Sequence, residues 1–395
     1  MEEKAGKGGR IGRGTFLKAA GATLVLVAGG GVWRAAGQGV FDAGEGPAFE
    51  PWKSWRSGEE RGPLALVSAA ILAANAHNTQ PWLFRVGESR VDLFAQRERN
   101  IGTIDPLLRE MYISLGCALE NLLLAARANG YEYRVALMPD PSDPTHAARV
   151  ELLPGGRDAS PLYEAIPNRH TNRHAYNTER AVSQETLRNL QDLNEDEDVE
   201  TFWFATEAER ERMGDLIVRA VKAIIADRQQ ARDNLAWNRY DEEEIQRRRD
   251  GLVTDTIGVS GLERILAKMG PEPSEKTSNE FWLSNTEERQ VPTAAAFGVI
   301  AVRDDRDDAQ RMAAGRLWQR MHLWATGEGL AVQPMSQVHE RADREAELGL
   351  EPTFGDALNE LAGEPGWRGL FTFRAGYPTE RALPGPRRGV EDVLA

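Results

Sequence analysis

The sequence predicts an α+β protein with two lobes, each built from a central, mostly antiparallel sheet and long helices. Strand-like runs alternate with helical runs along the chain of 395 residues. A long helical run occurs in each half of the chain, and the strand patterns beside these two runs recur in the same order. A chain of this length is long enough for two ordinary domains.

The composition limits the classes of function. Hydrophobic residues make up 41% of the chain, so most of it is expected to fold. The balance of 48 Lys and Arg against 61 Asp and Glu gives a formal charge of −13, which argues against nucleic acid as the main partner. Cys117 is the single cysteine, so the chain forms no internal disulfide and no thiolate metal cluster. A chain without disulfides is compatible with either redox compartment.

The N-terminal residues 1–37 have the features of an export signal, and the alternative is a disordered N-terminus. Basic residues precede a short apolar stretch, and small residues follow it. RGTFLK (13–18) resembles the twin-arginine motif, although Gly14 replaces its second arginine. The apolar stretch is short for a membrane span. We therefore expect export to the bacterial periplasm or cell envelope, with the cytoplasm as the alternative, and we interpret residues 38–60 as a linker.

The first predicted lobe covers residues 61–160. It begins with a helix over 63–74, followed by the strands WLFRV and RVDLFA, which the turn GES separates. A long helix is predicted from Pro106 to Asn129 and ends at Gly130, a residue suited to a helix C-terminus. YEYRVALM follows as a strand.

The second predicted lobe, residues 161–395, repeats this order. AAAFGVIAV (294–302) is predicted as a buried strand, a helix follows from about 307 to 328, and LAVQPM is a strand. When the two long helices are aligned, identical residues coincide at four positions. These pairs are Gly116 and Gly315, Leu124 and Leu323, Ala126 and Ala325, and Gly130 and Gly329. Two related lobes in one chain indicate a homodimer-like arrangement fused into a monomer.

A charged insertion of about residues 206–290 interrupts the second lobe. Residues 206–250 are rich in Glu, Arg and Asp and are interpreted as a solvated helix. A shorter helix is predicted at 261–269, and PEPSEKTSNE (271–280) is predicted as a loop. An insertion of this size is either a surface addition or a lid over a site, and both interpretations remain open.

Three polar stretches are candidates for a binding site. ANAHNTQPWLF (74–84) contains polar side chains that either satisfy a helix end or bind a ligand. In NRHTNRHAYN (168–177), Arg169, Thr171 and Arg173 alternate, so an extended backbone directs all three to one side, as a phosphate site requires. The alternative is a polar loop that caps the next helix. Arg387 and Arg388 follow a Pro-Gly-Pro turn near the C-terminus.

His170 and His174 are four residues apart, a spacing that suits a metal site on a helix. The segment does not have a helical pattern, and no third ligand cluster is visible in the sequence. We therefore predict no metal site.

These stretches resemble the motifs of the nitroreductase family, which binds FMN. ANAHNTQPWLF resembles the (S/A)-x-x-x-N-x-Q-P-W-x-F signature, and NRHTNR is similar to the family's R-x-S-x-R motif at the flavin phosphate, with Thr171 in the Ser position. GLAVQPMSQ (329–337) matches the stretch beside the isoalloxazine ring, and GYPTERALPGPRR (376–388) resembles the closing Gly-Tyr-Pro with its basic phosphate contact. The resemblance covers roughly residues 60–395 and is strongest to the Acg-like branch, in which two subunit-like halves are joined.

The resemblance implies a nitroreductase-like fold with one FMN per chain and no catalytic side chain. A backbone N–H near Met335, Ser336 or Gln337 is expected to face N5 or O4 of the flavin. Gln80 and Trp82 are expected to be structural, and the role of His77 is left open. The implied cofactor-binding residues are Asn75, Ala76, Asn78, Arg169, His170, Thr171, Arg173, Pro334, Met335, Ser336, Gln337, Arg387 and Arg388.

The expected function is that of an FMN-binding oxidoreductase. Hydride passes from NAD(P)H to FMN and then to a nitroaromatic or quinone-like acceptor. The alternative is a protein that binds or sequesters FMN with little or no turnover, in which the insertion acts as a lid. In both cases we expect a monomer that resembles a dimer, a small-molecule acceptor or ligand, no nucleic acid, and no stable membrane span in the folded body.

Overall fold

A computed structural model describes residues 39–40, 43–56 and 62–395 of the chain. The predicted export signal and parts of the predicted linker lie outside the described residues. The described strands are β1 (Trp82–Val86), β2 (Arg90–Ala95), β3 (Tyr131–Leu137), β4 (His146–Pro154), β5 (Val199–Phe204), β6 (Asn238–Arg239), β7 (Leu252–Val253), β8 (Ala296–Val302), β9 (Ala331–Pro334) and β10 (Arg368–Gly376). The described α-helices are α1 (Glu50–Ser54), α2 (Leu64–Ala70), α3 (Arg109–Ala128), α4 (Pro161–Ala165), α5 (Gln184–Gln191), α6 (Glu207–Ala226), α7 (Arg228–Leu235), α8 (Glu242–Arg248), α9 (Gly261–Met269), α10 (Glu275–Asn285), α11 (Asp308–Gly327), α12 (Gln337–Leu348) and α13 (Thr353–Ala362).

The two main sheets are antiparallel, and the predicted α+β class is confirmed. The first sheet has the strand order β1-β2-β4-β3 and the second has the order β5-β8-β10-β9. Strands β1, β2 and β3 lie where their sequence patterns predicted them. The sequence analysis missed β4, whose alanines have a low strand propensity but which pairs with β2 on one side and β3 on the other.

Strand β8 lies inside the second sheet between β5 and β10, and every residue of it is buried. This confirms the buried strand predicted over 294–302, because a strand covered on both faces has a continuous apolar sequence rather than an alternating one. A single apolar core joins both main sheets to the long helices, and a second core packs α6 and α12 against the opposite face of the second sheet.

Helices α3 and α11 each contain 20 residues and approach each other closely. A Cβ atom built at Gly116 would lie 2.1 Å from the carbonyl oxygen of Met312, and one built at Gly315 would lie 2.1 Å from that of Ile113. Each glycine is seven residues after the first residue of its helix, Arg109 or Asp308. The two helices therefore contact each other through equivalent positions. The duplication inferred from the sequence stays a prediction.

The insertion differs from its prediction in two respects. The expected solvated helix is three helices, α6, α7 and α8, and α6 buries an apolar stripe that includes Met213, Leu216 and Ile217. The loop predicted over 271–280 gives way to α10 at Glu275, because the side chain of Ser274 caps this helix by accepting from the N–H of Thr277. Helix α9 occupies the predicted residues 261–269.

The C-terminal segment returns to the first sheet. Leu394 forms a parallel bridge with Phe84 of β1, and the N–H of Ala395 donates to the carbonyl of Phe84 at 2.9 Å. The segment that carries Arg387 and Arg388 is therefore held against the first lobe. Within the part of the chain that the structure describes, no helix is long and apolar enough to cross a membrane.

Candidate functional site

A cavity of about 590 Å³ is lined by residues from both halves of the chain and from the insertion. Seven of the thirteen predicted cofactor-binding residues line it. These are Asn75, Ala76, Thr171, Arg173, Pro334, Ser336 and Gln337. Five stretches that are distant in the sequence thus meet at one site. They are the QPW segment (residues 74–84), helix α3, the arginine segment (residues 168–177), the end of β9 and the insertion.

The QPW segment has a strained backbone. His77, Asn78 and Gln80 have positive φ angles of 46°, 55° and 52°. Such angles are uncommon for residues other than glycine, and tertiary contacts must stabilise them. Several hydrogen bonds do so here. The N–H of Ala76 donates to Ser114 Oγ at 3.1 Å, and the N–H of Gln80 donates to Asn75 Oδ1 at 2.8 Å.

Asn78 and Gln80 bind protein groups rather than facing the cavity. Asn78 Nδ2 donates to the carbonyls of Gly251 and Pro386, and Asn78 Oδ1 accepts from Arg387. Its side chain is therefore placed to position Arg387, not to donate directly to a ligand in the cavity as the sequence analysis expected. Gln80 is fully buried, and its amide joins the carbonyl of Arg249 to the N–H of Arg388. This confirms a structural role for Gln80.

The predicted structural role of Trp82 is also confirmed, since its side chain is fully buried in the main core.

Arg169 and Arg387 form a buried cationic cluster beside Trp52. Their guanidinium carbons lie 5.9 Å and 4.8 Å from the centre of the Trp52 ring. His170 contacts the same ring edge-on, with the ring centroids 4.6 Å apart. Arg169 donates to the carbonyl of Leu72 at 3.1 Å, and Arg387 donates to that of Ala73 at 3.3 Å. None of the three side chains is among those that line the cavity, but Leu72 and Ala73 directly precede its lining residues 74–77.

The cluster lacks an anionic partner among the described residues. No ion pair of Arg169, Arg173, Arg387 or Arg388 with a carboxylate occurs in residues 39–40, 43–56 and 62–395. Burial, with the nearby Arg173 as an additional cause, lowers the pKa of Arg169 to about 10. Burial lowers the pKa of His170 to about 3, with Arg169 and Arg387 as additional causes. Buried cations without a counter-charge are unfavourable, so this arrangement favours an anion.

Within the part of the chain that the structure describes, three buried nitrogen atoms in the cluster have no hydrogen-bond partner. They are Nε of Arg169, Nε of Arg387 and Nδ1 of His170. Buried polar atoms are nearly always hydrogen-bonded, and the exceptions commonly mark a place where a ligand or an ion binds.

Thr171 and Arg173 continue from this cluster into the cavity wall. Arg173 donates to the carbonyl of Thr256 in the insertion at 3.0 Å, and burial lowers its pKa to about 10. Arg388 instead donates to the carbonyl of Gln80 and to Gln96 Oε1 and does not line the cavity. Its guanidinium therefore stabilises the QPW segment.

The segment after β9 leads into the first turn of α12 at the cavity. The N–H of Met335 donates to the carbonyl of Thr372 at 2.8 Å, and the Met335 side chain is buried in the second core. Met335 is therefore not available as the expected backbone donor. Ser336 Oγ and Gln337 Oε1 line the cavity as buried atoms without a partner. The first N–H groups of a helix have no intrahelical partner and carry a partial positive charge.

The insertion forms the outer wall of the cavity and binds the QPW segment. His77 Nε2 and Asn234 Oδ1 are 2.9 Å apart, and the N–H of Gly251 donates to the carbonyl of Asn78 at 3.1 Å. Side chains from α9 and α10, such as Leu266, Phe281 and Trp282, line the cavity. The insertion is thus part of the site rather than only a surface addition, and His77 connects the two parts.

Sequence reasoning missed several residues of the cavity wall. They include the aromatic side chains of Trp318 and Phe371 and the carboxylates of Glu110 and Glu340. No local motif marks them, because each lies inside a regular helix or strand and only the packing brings it to the cavity. Among the described residues, no group of three or more His, Cys, Asp or Glu side chains is arranged to hold a metal ion.

Comparison with known proteins gives relatives that cover most of the chain. A protein of Mycobacterium tuberculosis H37Rv, described as "Putative NAD(P)H nitroreductase Rv3131", is 25% identical over 349 residues, which are 83% of this chain and 90% of the relative. A second protein of that strain is described as "Putative NAD(P)H nitroreductase acg". It is 32% identical over 88 residues, which are 22% of this chain and 27% of the relative. No family model matches the chain.

Solved structures show a weaker likeness. A nitroreductase of Desulfitobacterium hafniense with bound FMN has a TM-score of 0.37 and 11% identity, over 60% of this chain and 98% of its own. The FMN-dependent nitroreductase NfnB of Mycobacterium smegmatis in complex with NADPH has a TM-score of 0.35 and 15% identity, over 60% of this chain and 99% of its own. Scores of this size carry no weight in the assignment.

The sequence likeness to Rv3131 extends over most of both chains and agrees with the four motifs and with the α+β fold. Over most of its length the chain is similar to proteins described as putative NAD(P)H nitroreductases.

Proposed function

We propose that the protein binds one FMN per chain and catalyses electron transfer from NAD(P)H to a nitroaromatic or quinone-like acceptor. The observation that carries this proposal is the buried arginine cluster without an anionic partner, next to a cavity that aromatic side chains line. A flavin mononucleotide has both matching parts, an anionic phosphate and an aromatic ring system. The description of the relative Rv3131 as a putative NAD(P)H nitroreductase supports the same assignment.

The residues present fit the phosphate of FMN. Arg169, Arg173 and Arg387 would supply permanent positive charge, and the hydroxyl of Thr171 would supply a neutral donor. The partnerless nitrogens of Arg169, Arg387 and His170 supply further hydrogen-bonding capacity. Among these residues, Arg169 and Arg387 are the strongest candidates, because a bound anion would compensate for the desolvation of their buried charges.

The first turn of α12 is suited to the redox-active edge of the ring. Its free N–H groups and the unpartnered Ser336 Oγ and Gln337 Oε1 face the cavity region. The chemistry that FMN supplies when bound is acceptance of a hydride and its transfer to an acceptor. The helix N-terminus stabilises negative charge at that position, and the apolar walls from Trp318 and Phe371 exclude water.

A second candidate function is FMN binding with little or no turnover. The position of the insertion favours it, since α9 and α10 cover the cavity from outside and His77 holds the insertion to the QPW segment. A fixed cover would leave no room for an acceptor beside the ring.

The purified protein distinguishes these functions. A yellow protein whose visible absorbance bleaches anaerobically on addition of NADPH or NADH, and recovers with a quinone, supports the oxidoreductase. A yellow protein that neither nicotinamide bleaches supports the binding protein. A colourless preparation that takes up no added FMN contradicts both functions.

The predicted export signal lies outside the described residues, so export to the cell envelope remains a proposal. The monomeric state is likewise a proposal, which rests on the duplication inferred from the sequence.

A further inference from the structure

Two buried carboxyl groups from different lobes meet at the wall of the cavity. Glu110 lies in the first turn of α3 and Glu340 in the first turns of α12, with exposed fractions of only 7% and 6%. Both residues line the cavity, and each carboxyl group affects the charge of the other. Two buried carboxyl groups in such proximity favour one proton between them over double ionisation.

The surroundings of the pair contain more acidic than basic groups. Asp105 and Asp343 are also buried, and Arg109 is the one cation that faces the pair in the described part of the chain. Arg109 Nε already forms an ion pair with Asp343 Oδ2 at 2.7 Å. The nearby His339 is buried and hydrogen-bonded to Thr372, and burial lowers its pKa. Four buried carboxyl groups around one guanidinium cannot all be ionised at once.

Burial and mutual repulsion raise the affinity of this cluster for protons. Burial, followed by the charge of Glu110, raises the pKa of Glu340 well above its usual value. Burial also raises the pKa of Glu110, and the neighbouring Arg109 opposes this shift. The pKa of Asp105 rises to about 7 for the same main reason. Burial and repulsion thus favour retention of a proton by the cluster.

The polar atoms next to the pair are available to a ligand. Within the described part of the chain, Ser336 Oγ and Gln337 Oε1 are buried atoms without a hydrogen-bond partner, whereas Glu110 Oε1 lies 3.6 Å from Nη2 of Arg109. All three of Glu110, Ser336 and Gln337 line the cavity. Ser336 and Gln337 belong to the same turn as Glu340. A stored proton and free polar atoms thus occur together, at the segment proposed to face the redox-active edge of the flavin.

We propose that the Glu110–Glu340 pair donates the proton that acceptor reduction consumes at this cavity. This inference rests on the proposed oxidoreductase function. A quinone, NAD(P)H and one proton give a hydroquinone and NAD(P)+. A nitro compound, NAD(P)H and one proton give a nitroso compound, NAD(P)+ and water. In each reaction the dinucleotide supplies two electrons and one proton as hydride, so the second proton must come from an acid, here the carboxyl pair, which solvent then reprotonates.

The test compares two acceptors that differ in their need for protons. Benzoquinone takes up two electrons and two protons, whereas ferricyanide takes up electrons only. Glu340→Gln keeps the size of the side chain but removes the acid. Loss of a general acid costs about 10²-fold or more in rate. We expect this loss for reoxidation by benzoquinone, with little change for ferricyanide or for reduction by NADPH. Glu110→Gln should behave in the same way.

Glu345→Gln is the matched control. Glu345 is a buried carboxylate of the same helix, but it accepts the N–H of Phe354 at 3.1 Å and does not line the cavity. The Glu345→Gln variant should leave the rates of reoxidation by benzoquinone and by ferricyanide unchanged. An equal slowing of both acceptors by Glu340→Gln would show a structural role and overturn the inference, as would an unchanged benzoquinone rate in both pair variants.

A readout without activity separates this inference from the proposed function. Infrared spectra of the FMN-free protein at neutral pH should contain the carbonyl band of an un-ionised carboxyl group, and this band should weaken in Glu340→Gln but not in Glu345→Gln. A wild-type spectrum without the band overturns the stored proton even if the enzyme is active. A protein that shows the band but binds no FMN contradicts the proposed function, and the redox role of the pair with it.

Discussion

Arg169 and Arg387 are the residues on which the assignment of a ligand depends most. Taking a cation out of water costs several kcal/mol unless an anion or strong hydrogen bonds compensate. The exposed fractions of Arg169 and Arg387 are only 2% and 5%. Neither side chain has a carboxylate partner among the described residues. We therefore expect a bound anion to offset the free-energy cost of burying these two guanidinium groups.

Removing two of the arginines should abolish the preference for a phosphorylated flavin. In Arg169→Ala/Arg173→Ala, each lost charge-assisted hydrogen bond costs about 1.5–3 kcal/mol, so the Kd for FMN should rise by roughly 10²-fold or more. Fluorescence titration with FMN and with riboflavin measures this effect. Riboflavin has no phosphate, so its Kd should change far less.

Arg303→Ala is the control for that experiment, because Arg303 is an exposed arginine that stacks on Trp367 at 3.6 Å and does not line the cavity. An unchanged ratio of FMN to riboflavin affinity in the double variant would mean that the phosphate binds elsewhere.

The carboxyl pair predicts a pH dependence of stability. Because the folded-state pKa of Glu340 is raised, its proton stabilises the folded protein fully below the unfolded pKa of about 4. This contribution is lost as the pH rises through the raised value. As the pH rises from about 4 through the raised pKa of Glu340, Glu340→Gln should lose less stability than the wild type. Urea unfolding of both proteins at several pH values measures this difference.

Other groups titrate in the same range, but most are common to both proteins, so the comparison isolates the cluster. Parallel stability curves for the wild type and Glu340→Gln would show that Glu340 carries no raised pKa.

At the scale of secondary structure elements, the close contact between helices α3 and α11 determines the packing. Gly116 and Gly315 allow this approach, since a side chain at either position would collide with a backbone carbonyl 2.1 Å away. The contact positions Glu110 on α3 and Trp318 on α11 at the wall of one cavity. The sequence showed the two glycines as a matching pair, and the structure shows why each is needed.

Gly315→Ala should therefore destabilise the protein. The helices must move apart to admit the methyl group, and overpacking of this kind costs roughly 1–3 kcal/mol. Gly327→Ala in the same helix is the matched control, because a Cβ atom at that position would have no atom within 4 Å and alanine favours a helix. Denaturant unfolding measures both variants. Equal stability of Gly315→Ala and the wild type would contradict the close contact.

The insertion illustrates the limits of pattern reading at this scale. Its charge suggested a solvated helix, yet α6 packs an apolar face on the second sheet, and α9 and α10 cover the cavity. A high content of charged residues hid a narrow apolar stripe, and such a stripe is sufficient to bind a helix to a core.

On the scale of the whole molecule, distant parts of the chain close around one cavity. The C-terminal segment crosses to the first sheet, where Leu394 pairs with Phe84 and Arg387 reaches Asn78. The cavity wall thus draws on segments between residues 74 and 371 of the chain. The expectation of a monomer that resembles a dimer remains a prediction.

We predict one FMN for each chain in a monomeric protein. Titration of the FMN-free protein should reach its end point at a ratio of about one, because the described residues contain one arginine cluster of this kind. Saturating FMN should also raise the melting temperature, since a ligand at 100 times its Kd stabilises the folded state by about 2.7 kcal/mol. Light scattering during the titration reports the mass. An end point near two would indicate a second site.

The sequence by itself determined the class of the fold, five of the ten described strands and both long helices. It also determined which polar segments deserve functional attention, since ANAHNTQPWLF and NRHTNR both contribute residues to the cavity wall. These features depend on local periodicity, turn residues and short motifs, all of which act over a few residues along the chain.

The tertiary structure alone decided which of those residues face the cavity and which support them. It assigned Asn78 and Arg388 to protein contacts, and it brought Glu110 together with Glu340 across the two lobes. The physical reason is that burial and the low dielectric of the interior act between groups that are distant in sequence. No local sequence pattern predicts this proximity, because it depends on the packing of α3 against its neighbours.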